Sequence, residues 1–351
     1  MMAPADYKRF YLKVLALVAL PITLIAGFNY LIDPYRVWSA PKISHVNEVS
    51  DYAGAKDWIQ VARAIRRDRP KALIFGTSTS MQLDATEYSK HVGVRAYNAG
   101  MVMASTSTIR EYFDMAVHEQ PDLQHVLLAL DFLQFNELGD ITQSTRRPSS
   151  VPPLLTEEGL AMLFSKDGVA ASAATLALNI TQGEPEQSTP GSPEVFDRYL
   201  ESAMAQRGNY DPYRLSESAL EDLEYMAATC AQRDIKLTVV ITPMHAEHLN
   251  ALYSAGLGDK YGEWLRRVAA KTPVWDFSGY NHITTEPVVS QMKSYHDPFH
   301  YTTSVGTLMI RRSVGAGATS PEFGVRVTEF DVERHVDKMT AQYREQVRLG
   351  Q

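Results

Sequence analysis

A chain of 351 residues can bury a large core as one large domain or two small ones, and with 45% hydrophobic and 21% charged residues it is neither wholly disordered nor fibrous. Its 41 acidic and 34 basic residues leave a net charge of −7 with both signs mixed along the chain, which excludes the basic stripe a nucleic-acid binder needs. A lone cysteine, Cys230, rules out an internal disulfide, so cysteine usage does not fix the compartment, and its place in a helical pattern reads as a buried thiol.

The amino terminus carries the first strong signal. Val14 to Ile32 is an apolar run of about 19 residues, long enough to cross a bilayer. Lys8, Arg9 and Lys13 precede it, so the positive-inside rule puts the short tail in the cytoplasm and the rest of the chain beyond the membrane, in the periplasm or its equivalent. A cleaved signal peptide is the alternative; the absence of a small-x-small site and the aromatic continuation NYLIDPYRVW favour an uncleaved anchor.

Residues 1–32 therefore read as tail and anchor, and 33–54 as a juxtamembrane connector. Trp58, Val61, Ala62 and Ile65 recur at helical spacing, and Arg69-Pro70 ends that helix. KALIFG, 71–76, is a short apolar run stopping at glycine, as expected of a buried parallel strand, and GTSTS follows its carboxyl end. VRAYNAG predicts a second strand ending at Gly100, and Ile109, Tyr112, Phe113, Ala116 and Val117 mark a helix face before Pro121. HVLLALDF, 125–132, predicts the third strand.

From about 137 to 211 the pattern loosens into an insertion rich in turn residues, with short helices expected near 156–165 and 193–206. Alternation then returns. Ser218 and Glu221 have capping-box spacing ahead of a helix, LTVVIT (237–242) predicts the fourth strand, a helical region spans about 245–271, and PVWDF predicts the fifth strand. TTSVGTLMIRRSVG predicts a last core helix, and 321–351 a helical extension. Alternating strands and helices predict an α/β three-layer sandwich around a central parallel sheet over 55–320, with reactive groups at the carboxyl ends of strands.

Ser78 occupies such an end. A serine hydroxyl needs a base to take its proton and a carboxylate to hold the base's tautomer. SYHDPFHYT offers both three residues apart, His300 and Asp297, with Pro298 stiffening the turn. The backbone N–H groups of Ser78 and Gly100, with the Asn98 side chain, are plausible oxyanion donors. Each residue also has a plain structural reading: GTSTS as a helix-capping turn, Asp297 as a turn former before proline, and Asp131 as a cap or a cleft wall. His245 and His248 stand three apart, a spacing open to a metal but lacking further ligands, so substrate contact or polar packing is preferred. No metal or cofactor is expected.

GTSTS after the first strand, YNAG after the second and DPFH near the end resemble the SGNH, or GDSL-like, hydrolase and acyltransferase superfamily. The anchor ending in NYLIDPY, followed by GTSTS and LLALDFLQFN, resembles its membrane-anchored members allied to polysaccharide O-acetylation proteins and the D-alanine transfer protein of teichoic acid synthesis. Over residues 11–315 the resemblance implies a flavodoxin-like SGNH fold, a nucleophile at Ser78, a base at His300, an orienting acid at Asp297 and an oxyanion contribution from Gly100. Thr77 stands where the family has the aspartate of GDS. DFLQFNELGD replaces the family's GxND turn, which leaves Asn136 as the nearest oxyanion candidate. The implied activity is transfer of an acyl group, acetyl foremost, from a multi-pass membrane donor protein to a cell-envelope polysaccharide or another hydroxylated envelope polymer. An esterase with the same triad and a non-catalytic envelope scaffold are the competing expectations.

Overall fold

A computed structural model describes residues 4–38, 40–50, 57–138, 162–181, 193–206, 209–316, 320 and 322–349. Contacts divide the chain into two units, residues 1–60 with 149–187, and residues 61–148 with 188–351.

The first unit contains helix α1, Pro4–Ile32. Its Tyr7–Ile32 stretch contains an 18-residue window with a mean hydropathy of 2.1 and is long and apolar enough to cross a membrane. At 1.5 Å per residue it would extend about 39 Å, against about 30 Å of hydrocarbon. The helix ends where Asp33 turns its carboxylate back onto the chain and accepts the N–H groups of Val37, Trp38 and Ala40. That aspartate pairs N–H donors of the segment that follows the helix, which is why IDPYRVW folds into a tight turn.

The second unit opens within α2, Asp57–Arg63, which runs into a π-helical turn over Ala64–Asp68 and stops at left-handed Arg69 before Pro70. A mixed α/β core follows, with strands β1 (Ala72–Gly76), β2 (Ala96–Gly100), β3 (His125–Leu130), β4 (Lys236–Ile241), β5 (Val274–Asp276) and β6 (Val325–Val327). They form one sheet in the order β2-β1-β3-β4-β5-β6, with the first five strands parallel and β6 antiparallel to β5. Every residue of β1, and every residue of β3 after His125, is buried, the pattern of strands covered on both faces. Each fully buried Ile, Leu or Phe contributes about 1.5–3 kcal/mol, so ALIFG and VLLAL supply much of the force that holds the sheet together.

The helices of this unit are α3 (Ala85–Val92), α4 (Thr106–Glu119), α6 (Pro193–Met204), α7 (Glu217–Gln232), α8 (Ala246–Ser254), α9 (Gly258–Lys271), α10 (Thr303–Ser313) and α11 (Val332–Leu349); α5 (Lys166–Thr181) belongs to the first unit. Three local expectations change. The cap of α7 is Ser216, whose hydroxyl accepts the Ala219 N–H, while Ser218 bonds the Ser216 hydroxyl instead of starting the helix. The helical region near 245–271 breaks into two helices at Gly256, whose φ of 79° suits glycine. The carboxyl-terminal segment is not helix alone: Val325–Val327 adds a sixth strand, and α11 is tied to the end of β5 through His335 Nε2 and Asp276 Oδ2 at 2.7 Å. Of the expected short helices in the insertion, residues 156–161 lie outside the described residues.

Candidate functional site

Chain order reverses at β1, which lies between β2 and β3, and the crevice at such a point is where open α/β sheets place ligands. Three segments end there. β1 gives way at Gly76 to Thr77 and a 3₁₀ turn, Ser78–Gln82; β3 gives way to Asp131 and a second 3₁₀ turn, Phe132–Phe135; and the loop 295–301 precedes α10.

Ser78 Oγ lies 2.9 Å from His300 Nε2, and His300 Nδ1 lies 2.7 Å from Asp297 Oδ2. An ionised carboxylate only accepts, so the proton on Nδ1 faces Asp297 and the Nε2 lone pair faces the serine hydroxyl. The loop is itself braced. Asp297 Oδ1 accepts the N–H groups of Phe299 and His300, each at 2.8 Å, the His296 N–H donates to the His300 carbonyl, and Tyr295 bridges Tyr301. Burial by itself would raise the Asp297 carboxyl, but the imidazole and those two N–H groups hold it below its usual value. Burial would likewise lower His300, yet its bond to Asp297 and the nearby Asp297 and Asp131 charges raise it.

Asp131 is both a cap and a wall. Its Oδ1 accepts the Gln134 N–H while Gln134 Oε1 accepts the Asp131 N–H, and its Oδ2 accepts the Thr77 hydroxyl at 2.6 Å. Burial pushes its carboxyl up, and these bonds offset part of that. Thr77 thus links the serine turn to the end of β3.

The expected oxyanion and contact residues are placed differently. Gly100 N–H donates to Asn98 Oδ1 at 2.9 Å, and the Asn98 amide donates to the Ser80 and Leu83 carbonyls, each at 2.8 Å. Both groups are spent on bracing the 78–83 turn. Asn136 stands farther along, where its amide donates to the Asn209 and Pro212 carbonyls and its Oδ1 accepts the Leu138 and Arg214 N–H groups. It organises a loop and holds no free donor. His245 caps α8, with Nδ1 accepting the Glu247 N–H and Nε2 against the Glu286 carbonyl, so it does not reach the crevice. Of the expected oxyanion donors, the Ser78 N–H is the one that no hydrogen bond among the described residues engages.

Ser78 and His300 open onto a cavity of about 210 Å³. Thr77, Asp131, Asn209 and Thr242 supply polar lining, and Met103, Phe132, Leu133, Tyr210, Met244 and Phe299 the larger apolar part. Phe132 is held by a stack on Tyr213 at 4.2 Å between ring centres and by Trp264 at 5.4 Å, so that wall is firm. Met103 sits in the left-handed region at φ 53°, a local strain carried at the cavity rim. His248 also lines the cavity; burial, against the opposing pull of the Pro298 backbone, lowers its pKa to about 4, which keeps it neutral. The spacing leaves both His245 and His248 open to substrate contact or polar packing, and of the two it is His248 that lines the cavity beside Ser78. The aromatic lining, Phe132, Tyr199, Tyr210 and Phe299, comes from four separate segments and left no local signature at all. Among the described residues no group of three or more His, Cys, Asp or Glu side chains could hold a metal ion.

Compared with protein-family models and with curated protein sequences, the chain matches none.

Proposed function

We propose that the chain is an SGNH-type serine acyltransferase with a three-layer, flavodoxin-like catalytic domain. It takes an acyl group from an activated ester or thioester, carried by a membrane donor protein, and passes it to a hydroxyl of a cell-envelope polysaccharide. Helix α1 is its uncleaved anchor, with the amino terminus in the cytoplasm and the catalytic unit outside. The observation that carries this reading is the continuous chain of contacts from Ser78 Oγ through His300 to Asp297.

In the first half-reaction Ser78 Oγ bonds to the acyl carbon while its proton passes to His300 Nε2. The bond from that carbon to the donor's oxygen or sulfur then breaks, and the leaving atom takes the proton from His300. In the second half the acceptor hydroxyl gives its proton to Nε2 as its oxygen bonds the acyl carbon; the acyl–Oγ bond breaks and Ser78 recovers the proton. The free Ser78 N–H supplies one donor to the oxyanion formed in each half. Asp297 keeps the imidazole oriented and stabilises it when it is charged. An anchor confines such an enzyme to the surface where polymers emerge, which supports transfer over random hydrolysis.

The test uses the full chain in detergent. A fluorophosphonate probe should label wild type and leave Ser78→Ala unlabelled, and turnover of a chromogenic acyl ester should fall about a thousandfold or more in that variant. Equal labelling of the two proteins would overturn the serine chemistry. With an oligosaccharide acceptor present, acylated sugar supports transfer, whereas free acid alone means the acyl group goes to water.

A further inference from the structure

The resemblance points to acetyl, the smallest acyl group of its kind, but the space beside Ser78 is not shaped for two carbons. On the measure that gives the cavity about 210 Å³, one water molecule needs only about 10–15 Å³. An acetyl on Ser78 Oγ would leave most of that volume to be filled by solvent against thioether, aliphatic and aromatic carbon. Such contact wastes the burial that apolar walls can provide. A sugar ring would meet the opposite problem, because its ring of hydroxyls needs many fixed polar partners: Thr77, Thr79, Asp131 and Thr242 are already engaged in hydrogen bonds within the protein, which leaves Asn209 and the hydroxyls of Tyr199 and Tyr210 against a mostly apolar wall. His248 adds no charge to the wall, and both its ring nitrogens are shielded.

Resting on the serine acyltransferase reading, we infer that the cavity lined by Met103, Phe132, Leu133, Tyr210, Met244 and Phe299 is an acyl-chain pocket, and that the group carried on Ser78 is an uncharged, medium-length or branched aliphatic acyl chain. The polysaccharide hydroxyl then approaches Ser78 from the open side of the crevice. The firm stack of Phe132 on Tyr213 limits how far the pocket deforms, so chain length meets an upper bound as well as a lower one.

A series of p-nitrophenyl esters from acetyl to dodecanoyl, assayed on the full chain in detergent, reads this directly. Burying each added methylene should raise kcat/KM about three- to fourfold up to roughly six carbons, after which the gain stops. Met244→Trp, which fills the pocket with a larger ring, should lower the hexanoyl-to-acetyl ratio by about tenfold or more, a ratio being insensitive to how much of the variant is active. Fluorophosphonate labelling of the same samples reports whether Ser78 is in working order. If Ser78 is labelled and acetyl is cleaved as well as or better than hexanoyl, the acyl-chain pocket is wrong while the serine chemistry stands. If no ester is cleaved and Ser78 stays unlabelled, both fall. A hexanoyl preference that survives Met244→Trp unchanged would also overturn the assignment, because the chain would then be bound elsewhere.

Discussion

Asp131 shows how one side chain comes to act on another through space. It never touches His300 in a hydrogen bond, yet its charge helps raise the imidazole's pKa, alongside the larger effect of Asp297. A base works only when unprotonated, so ester turnover should climb as pH rises through the His300 pKa, an acid limb lying above the ordinary histidine value of about 6.5. Asp131→Asn keeps an oxygen for the Thr77 hydroxyl but removes the charge, and should move that limb to lower pH. An unmoved limb in the pH profile would mean that Asp131 only caps the 132–135 turn. Linkage has the same sign for stability: a histidine whose folded pKa is raised stabilises the fold below the unfolded value and loses that contribution as pH rises through the folded one.

The serine turn, an element of five residues, depends on two glycines that flank it from neighbouring strands. The Ser80 side chain packs between Gly76 on β1 and Gly100 on β2, and a Cβ on either would collide with it; at Gly76 the Ala129 carbonyl on β3 blocks the other way out. The glycines are there for close approach, since neither needs a left-handed φ. Gly76→Ala should therefore destabilise by about 1–3 kcal/mol, read as a shifted urea midpoint, and should loosen the hold on Ser78. An unchanged midpoint would mean that the turn can step aside at no cost. YNAG in this chain is thus a brace for the turn, with Asn98 and Gly100 bonded to each other and to the 78–83 backbone.

For the whole molecule the decisive element is α1, whose Leu17 and Leu20 are 76% and 62% exposed, apolar surface that water does not tolerate over such a length. If the helix spans a bilayer, two lysines near its middle should cost about 2.5–3.5 kcal/mol each. Leu17→Lys combined with Leu20→Lys is expected to release the chain from alkaline-washed membranes that retain wild type. Retention of the double variant would locate the membrane attachment elsewhere on the protein.

Local patterns settled much by themselves. An apolar run too long for an ordinary helix, strands apolar on both faces, and helices with one buried stripe follow from side-chain period alone, so α1 and five of the sheet strands could be read in order. Ser78 stood out because a short strand ends just before it, and Asp297 and His300 because they share one turn. Other features required the folded chain. The sixth strand, VRV, has an exposed arginine at its centre and no apolar run to mark it, and it forms by pairing antiparallel with the edge of β5. Whether Asn98, Gly100 and Asn136 keep a free donor depends on which carbonyls surround them. The contact of Ser78 with His300 joins residues 222 apart, and that of Thr77 with Asp131 residues 54 apart. Such distances close only when the sheet assembles, because a single strand carries no information about which neighbour it will pair with, and the cavity is made of what several strand ends leave between them.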